Sequence, residues 1–248
     1  MTNSNTNFKA AISSEIFTVI SKASKLLSID SYVIGGLVRD FFLKRGTAKD
    51  IDIVAIGSGI ELAEKVARLL PNKPKVQVFK TYGTAMLRYK DVEIEFVGAR
   101  KESYSEESRN PEVSEGSLVD DQNRRDFTIN ALALSLNELN FGDLLDPFHG
   151  MYDLVNKNIK TPLDPDITYS DDPLRMMRAI RFATQLNFTI ESNSLQAIAK
   201  NSERLQIITR ERIVDELHKI LLSAKPSIGF LHLEETGLLS QILPELIN

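Results

Sequence analysis

Apolar residues in the first hundred positions form short runs that alternate with stretches of helical spacing. β-Branched residues and two-residue periodicity within the runs predict strands. The predicted strands are 32–34, 51–56, 76–79, 84–89 and 92–97. The predicted helices are 13–27, a segment from Gly36 through Leu43, and 61–70. Strands interrupted by helices, with hairpin-like neighbours late in the series, predict a mixed α/β sheet.

The pattern changes after Asp146-Pro147. From Asp172 onward the apolar spacing is helical and no strand is predicted. The predicted helices are 173–187, 191–200, 209–223 and 226–236. We therefore expect an α+β domain over 1–148, followed by an all-α domain over 149–248.

Two polar segments are predicted to lack regular structure. Residues 1–7 are expected to be loose, and residues 101–123 are rich in Ser, Glu and Asp. A long polar segment inside a compact domain is typical of a functional or mobile loop.

Composition narrows the function classes. The chain has 248 residues, of which 42% are hydrophobic and 26% charged, as in ordinary globular proteins. It has no apolar run of membrane-spanning length and no signal-peptide core. The lack of cysteine excludes disulfides, thiolate catalysis and Cys-ligated zinc, and fits a cytoplasmic location. The three histidines are scattered, and a net charge of -4 means that a nucleic-acid partner must meet a local basic patch.

The first chemical signal is a pair of aspartates at the start of a predicted strand. Asp50 and Asp52 lie two positions apart, so their carboxylates face the same side. Glu93 and Glu95 repeat this spacing. Converging carboxylates suit Mg²⁺, and a two-ion site would activate an attacking hydroxyl and stabilise leaving pyrophosphate. A half-exposed strand also alternates acidic and apolar residues, so the pattern alone leaves both interpretations open.

A glycine pair precedes these aspartates. Gly35 and Gly36 follow a predicted strand and open a helix that carries Arg39. Paired glycines let the backbone approach a phosphate at a helix N-terminus. The segment matches neither a Rossmann nor a Walker A pattern, and a plain tight turn is the alternative. The order strand, glycine pair, helix, strand, D-x-D is more specific than either part.

Further motifs continue this order through the chain. They are GGLVRD at 35–40, DID at 50–52, RRDFTINA at 124–131, DPFHG at 146–150, DDPLRMMRAIRF at 171–182 and RERIVDEL at 210–217. Over about residues 31–222 the chain resembles the DNA polymerase beta superfamily, specifically class II tRNA nucleotidyltransferases and bacterial poly(A) polymerases. The resemblance implies a polymerase beta-like head over 1–148 and an all-α neck over 149–248. It also implies Mg²⁺-dependent transfer of nucleotides to the 3′ end of RNA.

The resemblance also implies roles for individual residues. Asp50 and Asp52 would hold the metal, and Glu95 falls where the family has a third catalytic carboxylate, whereas Glu93 is expected to point outward. The implied nucleotide-binding residues are Gly35, Gly36, Arg39, Arg125, Asp126, Asn130, Asp172, Arg175 and Arg178. The segment 103–122, with Arg109 at its centre, corresponds to a flexible loop that the family links to the switch from C to A addition.

Asp172 and Arg175 provide a physical basis for choosing bases. On a helix, residues three apart share a face. A carboxylate accepts from the exocyclic amine of cytosine or adenine, and a guanidinium donates to the neighbouring ring nitrogen. Uracil and guanine present an acceptor to the carboxylate instead. The alternative is that Asp172 with Pro173 caps a helix and that Arg175, Arg178 and Arg181 form a solvated stripe. Asp171 stands where the family usually has Glu, which keeps the charge and shortens the reach.

The resulting hypothesis is CCA addition to the tRNA 3′ end from CTP and ATP, with no membrane partner and no indicated protein partner. A poly(A) polymerase is the nearest alternative, but residues 79–86 do not match the stretch that follows the D-x-D strand in that branch. Addition of CC only or A only is also compatible with the sequence. A different class of alternative is a nucleotide-binding fragment that cannot use tRNA alone, because family members continue into a body and tail beyond this region.

Overall fold

A computed structural model describes residues 8–46, 50–105 and 108–247, with the side chains of 102–105 and 108–113 left aside. The chain divides into two compact units. The first comprises Met1–Glu102, Val113–Gln122 and Asn130–Phe148, and the second comprises Ser103–Glu112, Asn123–Ile129 and His149–Asn248.

The first unit is built on a mixed sheet. Its strands are β1 (Ser31–Ile34), β2 (Asp50–Ala55), β3 (Val76–Phe79), β4 (Thr84–Tyr89), β5 (Val92–Gly98), β8 (Ala133–Ser135) and β9 (Leu144–Leu145). Its helices are α1 (Glu15–Leu27), α2 (Gly36–Phe42), α3 (Gly59–Leu69) and α4 (Leu118–Asn123). The strand order is β3-β4-β5-β2-β1-β8-β9, in which only β2 and β5 pair in parallel.

The faces of β2 are apolar in different ways. Ile51 and Ile53 alternate with the aspartates and are buried, and α3 packs against β2, β4 and β5. The other face contains a cluster that includes Ile34, Val54 and, from α4, Leu118. Because residues two apart on a strand share a face, Asp52 continues the face of Val54 beyond this apolar cluster.

The segment predicted as a long loop folds differently. Residues Arg100–Ser105 (β6) and Ser108–Glu115 (β7) form a two-stranded sheet, and α4 follows, so the loop prediction is wrong. A hairpin that pairs only with itself need not bury a face, and its sequence therefore needs no apolar alternation. The side chain of Arg109 lies outside the described part of the structure.

The second unit is mainly helical. Its helices are α5 (Gly150–Val155), α6 (Pro165–Asp171), α7 (Leu174–Leu186), α8 (Ser192–Asn201), α9 (Arg210–Leu221), α10 (Pro226–Glu235) and α11 (Leu238–Ile242). Asn158–Ile159 (β10) and Thr189–Ile190 (β11) pair in parallel, so the prediction of no strand after Asp172 is wrong at one short segment. Two residues are too few to produce a periodic pattern.

The overall class is nevertheless the predicted one, a mixed-sheet head and a helical region. Each strand predicted in the first half, and the four long helices predicted in the second, occurs within a few residues of its expected limits. Within the described ranges, no helix combines the length and apolarity needed to cross a membrane.

Candidate active site

Acidic residues of β2 and β5 share one face of the sheet. In the parallel register, Asp52 is opposite Glu95 and Asp50 is opposite Glu93. Opposite residues of paired strands project to the same side. Asp50, Asp52 and Glu95 therefore lie on one face. Glu93 shares this face too, instead of lying on the other side, and is exposed at its end.

The glycine turn lies directly beside this acidic face. On the other side of β2, Asp52 is opposite Ile34, the residue that precedes Gly35. Gly35 has φ 83° and ψ -130°, a conformation that side chains with a Cβ rarely adopt. Its N–H donates to the carbonyl of Leu132 at 3.2 Å, so the backbone geometry alone explains this glycine.

Gly36 has no such explanation. A Cβ added there would come no closer than 3.9 Å to a terminal nitrogen of Arg39, which is an ordinary contact. Neither its conformation nor packing among the described residues therefore requires glycine at this position. This leaves close approach of a ligand to the backbone as a reason for glycine.

Arg39 and Asn130 meet although 91 residues separate them. A terminal nitrogen of Arg39 donates to Oδ1 of Asn130 at 2.7 Å. The other terminal nitrogen and Nε donate to the two carboxylate oxygens of Asp40, at 3.0 and 2.9 Å. Arg39 is 9% exposed and Asn130 6%. The structure thus brings together two predicted nucleotide-binding residues, and Asp40 is a partner that the sequence did not indicate.

The donor chemistry of the acidic face fits a divalent metal. Carboxylate oxygens are the ligands that hard divalent cations prefer, and nucleotidyl transfer depends on such an ion. Asp50 is exposed, and Asp52 and Glu95 are half-buried, so an ion would reach them from solvent. Among the described residues, no group of three or more His, Asp or Glu side chains is already arranged to hold a metal ion.

In the second unit, Asp126 and Arg178 form an ion pair. Asp126 is 7% exposed and accepts from Nε of Arg178 at 2.7 Å and from the N–H of Phe127 at 2.8 Å. The Asp126 charge raises the pKa of Arg178, with weaker contributions from Glu216 and Asp172. Two predicted nucleotide-binding residues are again in contact. Arg125, also predicted to bind nucleotide, is half-buried just before Asp126.

Asp172 and Arg175 are arranged differently from the prediction. Asp172 precedes α7, which begins at Leu174, and its carboxylate accepts from the N–H of Leu174 at 3.3 Å. Pro173 disfavours helical geometry in the preceding residue, and Asp172 has φ -134° and ψ 93°. The expectation that both residues lie on one helical face is therefore wrong, and Asp172 has a capping contact.

Arg175 is also constrained. It is 9% exposed, and a terminal nitrogen donates to the carbonyl of Arg124 at 2.6 Å. A role for Asp172 and Arg175 in base choice stays a prediction.

The solvated stripe that would explain the arginines of α7 is absent. Arg175 is buried, and Arg181 forms an ion pair with Glu216, whose side chain is 4% exposed. Arg181 also stacks on the ring of Phe182, 4.0 Å from its centroid. Burial lowers the pKa of Arg181, opposed by the Glu216 charge. Glu216 of α9 thus has a structural role.

Comparisons with known proteins agree with these features. Residues 31–160 match the model of the "Poly A polymerase head domain", and residues 187–248 match the model described as "Probable RNA and SrmB- binding site of polymerase A". The chain is 37% identical over 221 residues to the A-adding tRNA nucleotidyltransferase of Aquifex aeolicus, covering 88% of this chain and 26% of that protein. It is 37% identical over 214 residues to the CCA-adding enzyme of Bacillus velezensis, covering 86% and 51%.

A solved structure gives the same picture. The Thermotoga maritima CCA-adding enzyme, complexed with tRNA, matches with a TM-score of 0.83 and 30% identity, over 96% of this chain and 56% of that one. The chain thus spans about a quarter to about half of the length of these relatives.

Proposed function

The chain belongs to the family of the poly A polymerase head domain, and from that premise we propose that it adds CCA to the 3′ end of tRNA from CTP and ATP. The observation that carries this proposal is the register of β2 and β5. It aligns Asp52 with Glu95 on the face that holds Asp50, beside the turn at Gly35. Relatives named CCA-adding and A-adding enzymes support tRNA as the acceptor.

Phosphoryl transfer depends mainly on positioning and charge neutralisation. Asp50, Asp52 and Glu95 would hold Mg²⁺. Bound Mg²⁺ activates the attacking hydroxyl and stabilises the leaving pyrophosphate. The backbone at Gly35 and Gly36 would lie along the triphosphate.

The remaining predicted residues would bind and select the nucleotide. Arg39 and Asn130 would act at the nucleotide seat of the first unit. In the second unit, Arg125, with Asp126 and its partner Arg178, would contact ribose and phosphate. Asp172 would accept from the exocyclic amine of cytosine or adenine, and Arg175 would donate to the ring nitrogen, which refuses uracil and guanine.

The test uses purified chain, Mg²⁺ and a tRNA transcript that lacks its 3′ CCA, with CTP and ATP supplied separately and together. CCA addition predicts two residues with CTP alone and three with both. Asp50→Ala combined with Asp52→Ala should abolish both products, whereas Asp91→Ala, in the exposed turn after β4, should not. A chelator should stop the reaction, and Mg²⁺ should restore it.

The same gel separates the other functions. Stopping at CC with both nucleotides indicates a CC-adding enzyme, whereas a single A on a tRNA that ends in CC, without CTP incorporation, indicates an A-adding one. A ladder with ATP alone indicates a poly(A) polymerase. The A-adding alternative has specific support, because the A-adding relative is as similar as the CCA-adding one, both at 37% identity. Base-selective nucleotide binding without any product would indicate that this chain alone does not use tRNA. A cytoplasmic location belongs to the same proposal, and cell fractionation tests it.

A further inference from the structure

The guanidinium of Arg39 is fully engaged by two neighbours. Asp40 receives its Nε and one terminal nitrogen in a two-pronged ion pair, and Asn130 receives the other terminal nitrogen. The Arg39 side chain is 10% exposed and that of Asp40 27%, so the pair is shielded from solvent. A two-pronged arginine–carboxylate contact is strong and fixes the plane of the guanidinium.

This geometry also fixes the amide of Asn130. Arginine has donors and no acceptor, so Asn130 must turn its oxygen toward Arg39. The amide nitrogen, which is a donor, then lies on the opposite side of the group. A donor with a fixed direction is suited to an oxygen acceptor of a nucleotide, whether a phosphate oxygen or a ribose hydroxyl.

The segment that carries Asn130 is tied to the glycine turn and to α4. The carbonyl of Leu132 accepts from the N–H of Gly35, and the carbonyl of Ala131 accepts from the buried side chain of Gln122 at 2.7 Å. The backbone at 130–132 is therefore held while Arg39 orients the side chain. Asn130 thus has both a fixed position and a fixed orientation beside the turn.

We propose that Asp40 is a positioning residue for the nucleotide seat: it holds Arg39 so that Arg39 orients the Asn130 amide toward the nucleotide. This inference rests on the proposed function. It assigns Arg39 a different part from that of a simple phosphate ligand, because Asp40 balances its charge. Asp40 itself does not touch the nucleotide.

The test is Asp40→Asn, which keeps the shape and removes the charge, with Asp91→Asn as the matched control. We expect the KM for CTP to rise about tenfold while kcat stays within about twofold, the pattern of lost binding rather than lost chemistry. In the nucleotide-free protein, the Nε–H proton NMR signal of Arg39 should lose its protection from exchange. Asp91→Asn should change neither measurement.

A double-variant cycle tests whether the residues act in series. If Asp40 acts through Asn130, then adding Asp40→Asn to Asn130→Ala should raise KM little beyond the single Asn130→Ala change. Should Asp40→Asn fail to fold, Arg39→Lys keeps the charge, loses the two-pronged contact and should give the same KM effect.

Two results would overturn the positioning role: an unchanged KM for CTP in Asp40→Asn, or effects of the two variants that multiply independently. A loss of kcat at constant KM would also contradict it. A parent chain that neither binds CTP nor transfers C would instead refute the proposed function, which separates the two failures.

Discussion

Asp52 of β2 and Glu95 of β5 stand opposite each other on the one parallel pair of strands in the mixed sheet. Their carboxylates project from the same face, and Asp50 is the next residue on that face. Because only a parallel register aligned in this way brings the three together, the pairing of β2 with β5 determines whether the face can hold a metal.

Removing the Glu95 carboxylate should impair chemistry more than binding. We expect Glu95→Gln to lower kcat by about 100-fold at fixed Mg²⁺, with a small change in the KM for CTP, because the lost ligand acts on the metal. A titration of Mg²⁺ should show that more metal partly restores the rate. Glu93→Gln is the matched control: Glu93 shares the face but is exposed and lies opposite Arg88, so its rate should stay within about threefold. Equal losses in the two variants would contradict a special role for Glu95.

The two glycines of the turn should respond differently to alanine. Gly35→Ala forces a Cβ into a conformation with φ 83° and should lower the free energy of unfolding by about 1–3 kcal/mol. Gly36→Ala meets only an ordinary contact at 3.9 Å, so the melting temperature should stay the same or rise. The KM of Gly36→Ala for CTP should nevertheless increase, because a methyl group would separate the triphosphate from the backbone. An unchanged KM would leave Gly36 with no part in binding.

The buried ion pair between α7 and α9 should be essential for stability. Glu216→Gln leaves the buried Arg181 without its counter-charge and should cost about 3–5 kcal/mol, measured by urea unfolding. Glu211→Gln changes an exposed residue of the same helix and should cost less than about 0.5 kcal/mol. Similar small losses in both variants would show that solvent reaches Arg181.

Close packing at Gly229 provides an independent test of the helical unit. A Cβ there would lie 2.4 Å from Cγ2 of Ile220 and 2.8 Å from Oγ1 of Thr184. Gly229→Ala should therefore destabilise the protein by about 1–3 kcal/mol in spite of the better helix propensity of alanine. An increase in melting temperature would show that α10 does not pack against α7 and α9 in this way.

Local patterns predicted much of the fold, but long-range pairs were beyond them. Two-residue periodicity was enough to align Asp50 with Asp52, since one strand contains both. The contact of Arg39 with Asn130 depends on the pairing of β1 with β8, and that of Arg181 with Glu216 depends on the packing of two helices. Neither leaves a local pattern. The prediction for 101–123 failed for a related reason, because strands that bury no face carry no apolar signal. By contrast, Pro173 was visible in the sequence and already argued against a helical Asp172.

Asp172 is the residue for which two roles can be separated by one atom. Asn caps a helix about as well as Asp, so Asp172→Asn should keep the contact to Leu174 and the melting temperature, whereas Asp172→Ala should lose about 1 kcal/mol. An amide also offers a donor, which suits the O4 of uracil and the O6 of guanine. If Asp172 reads the base, Asp172→Asn should reduce the preference for CTP over UTP by about tenfold or more, measured as a ratio of kcat/KM values. If that preference survives in Asp172→Asn and falls only with the stability of Asp172→Ala, the residue is a helix cap, and base choice must lie elsewhere.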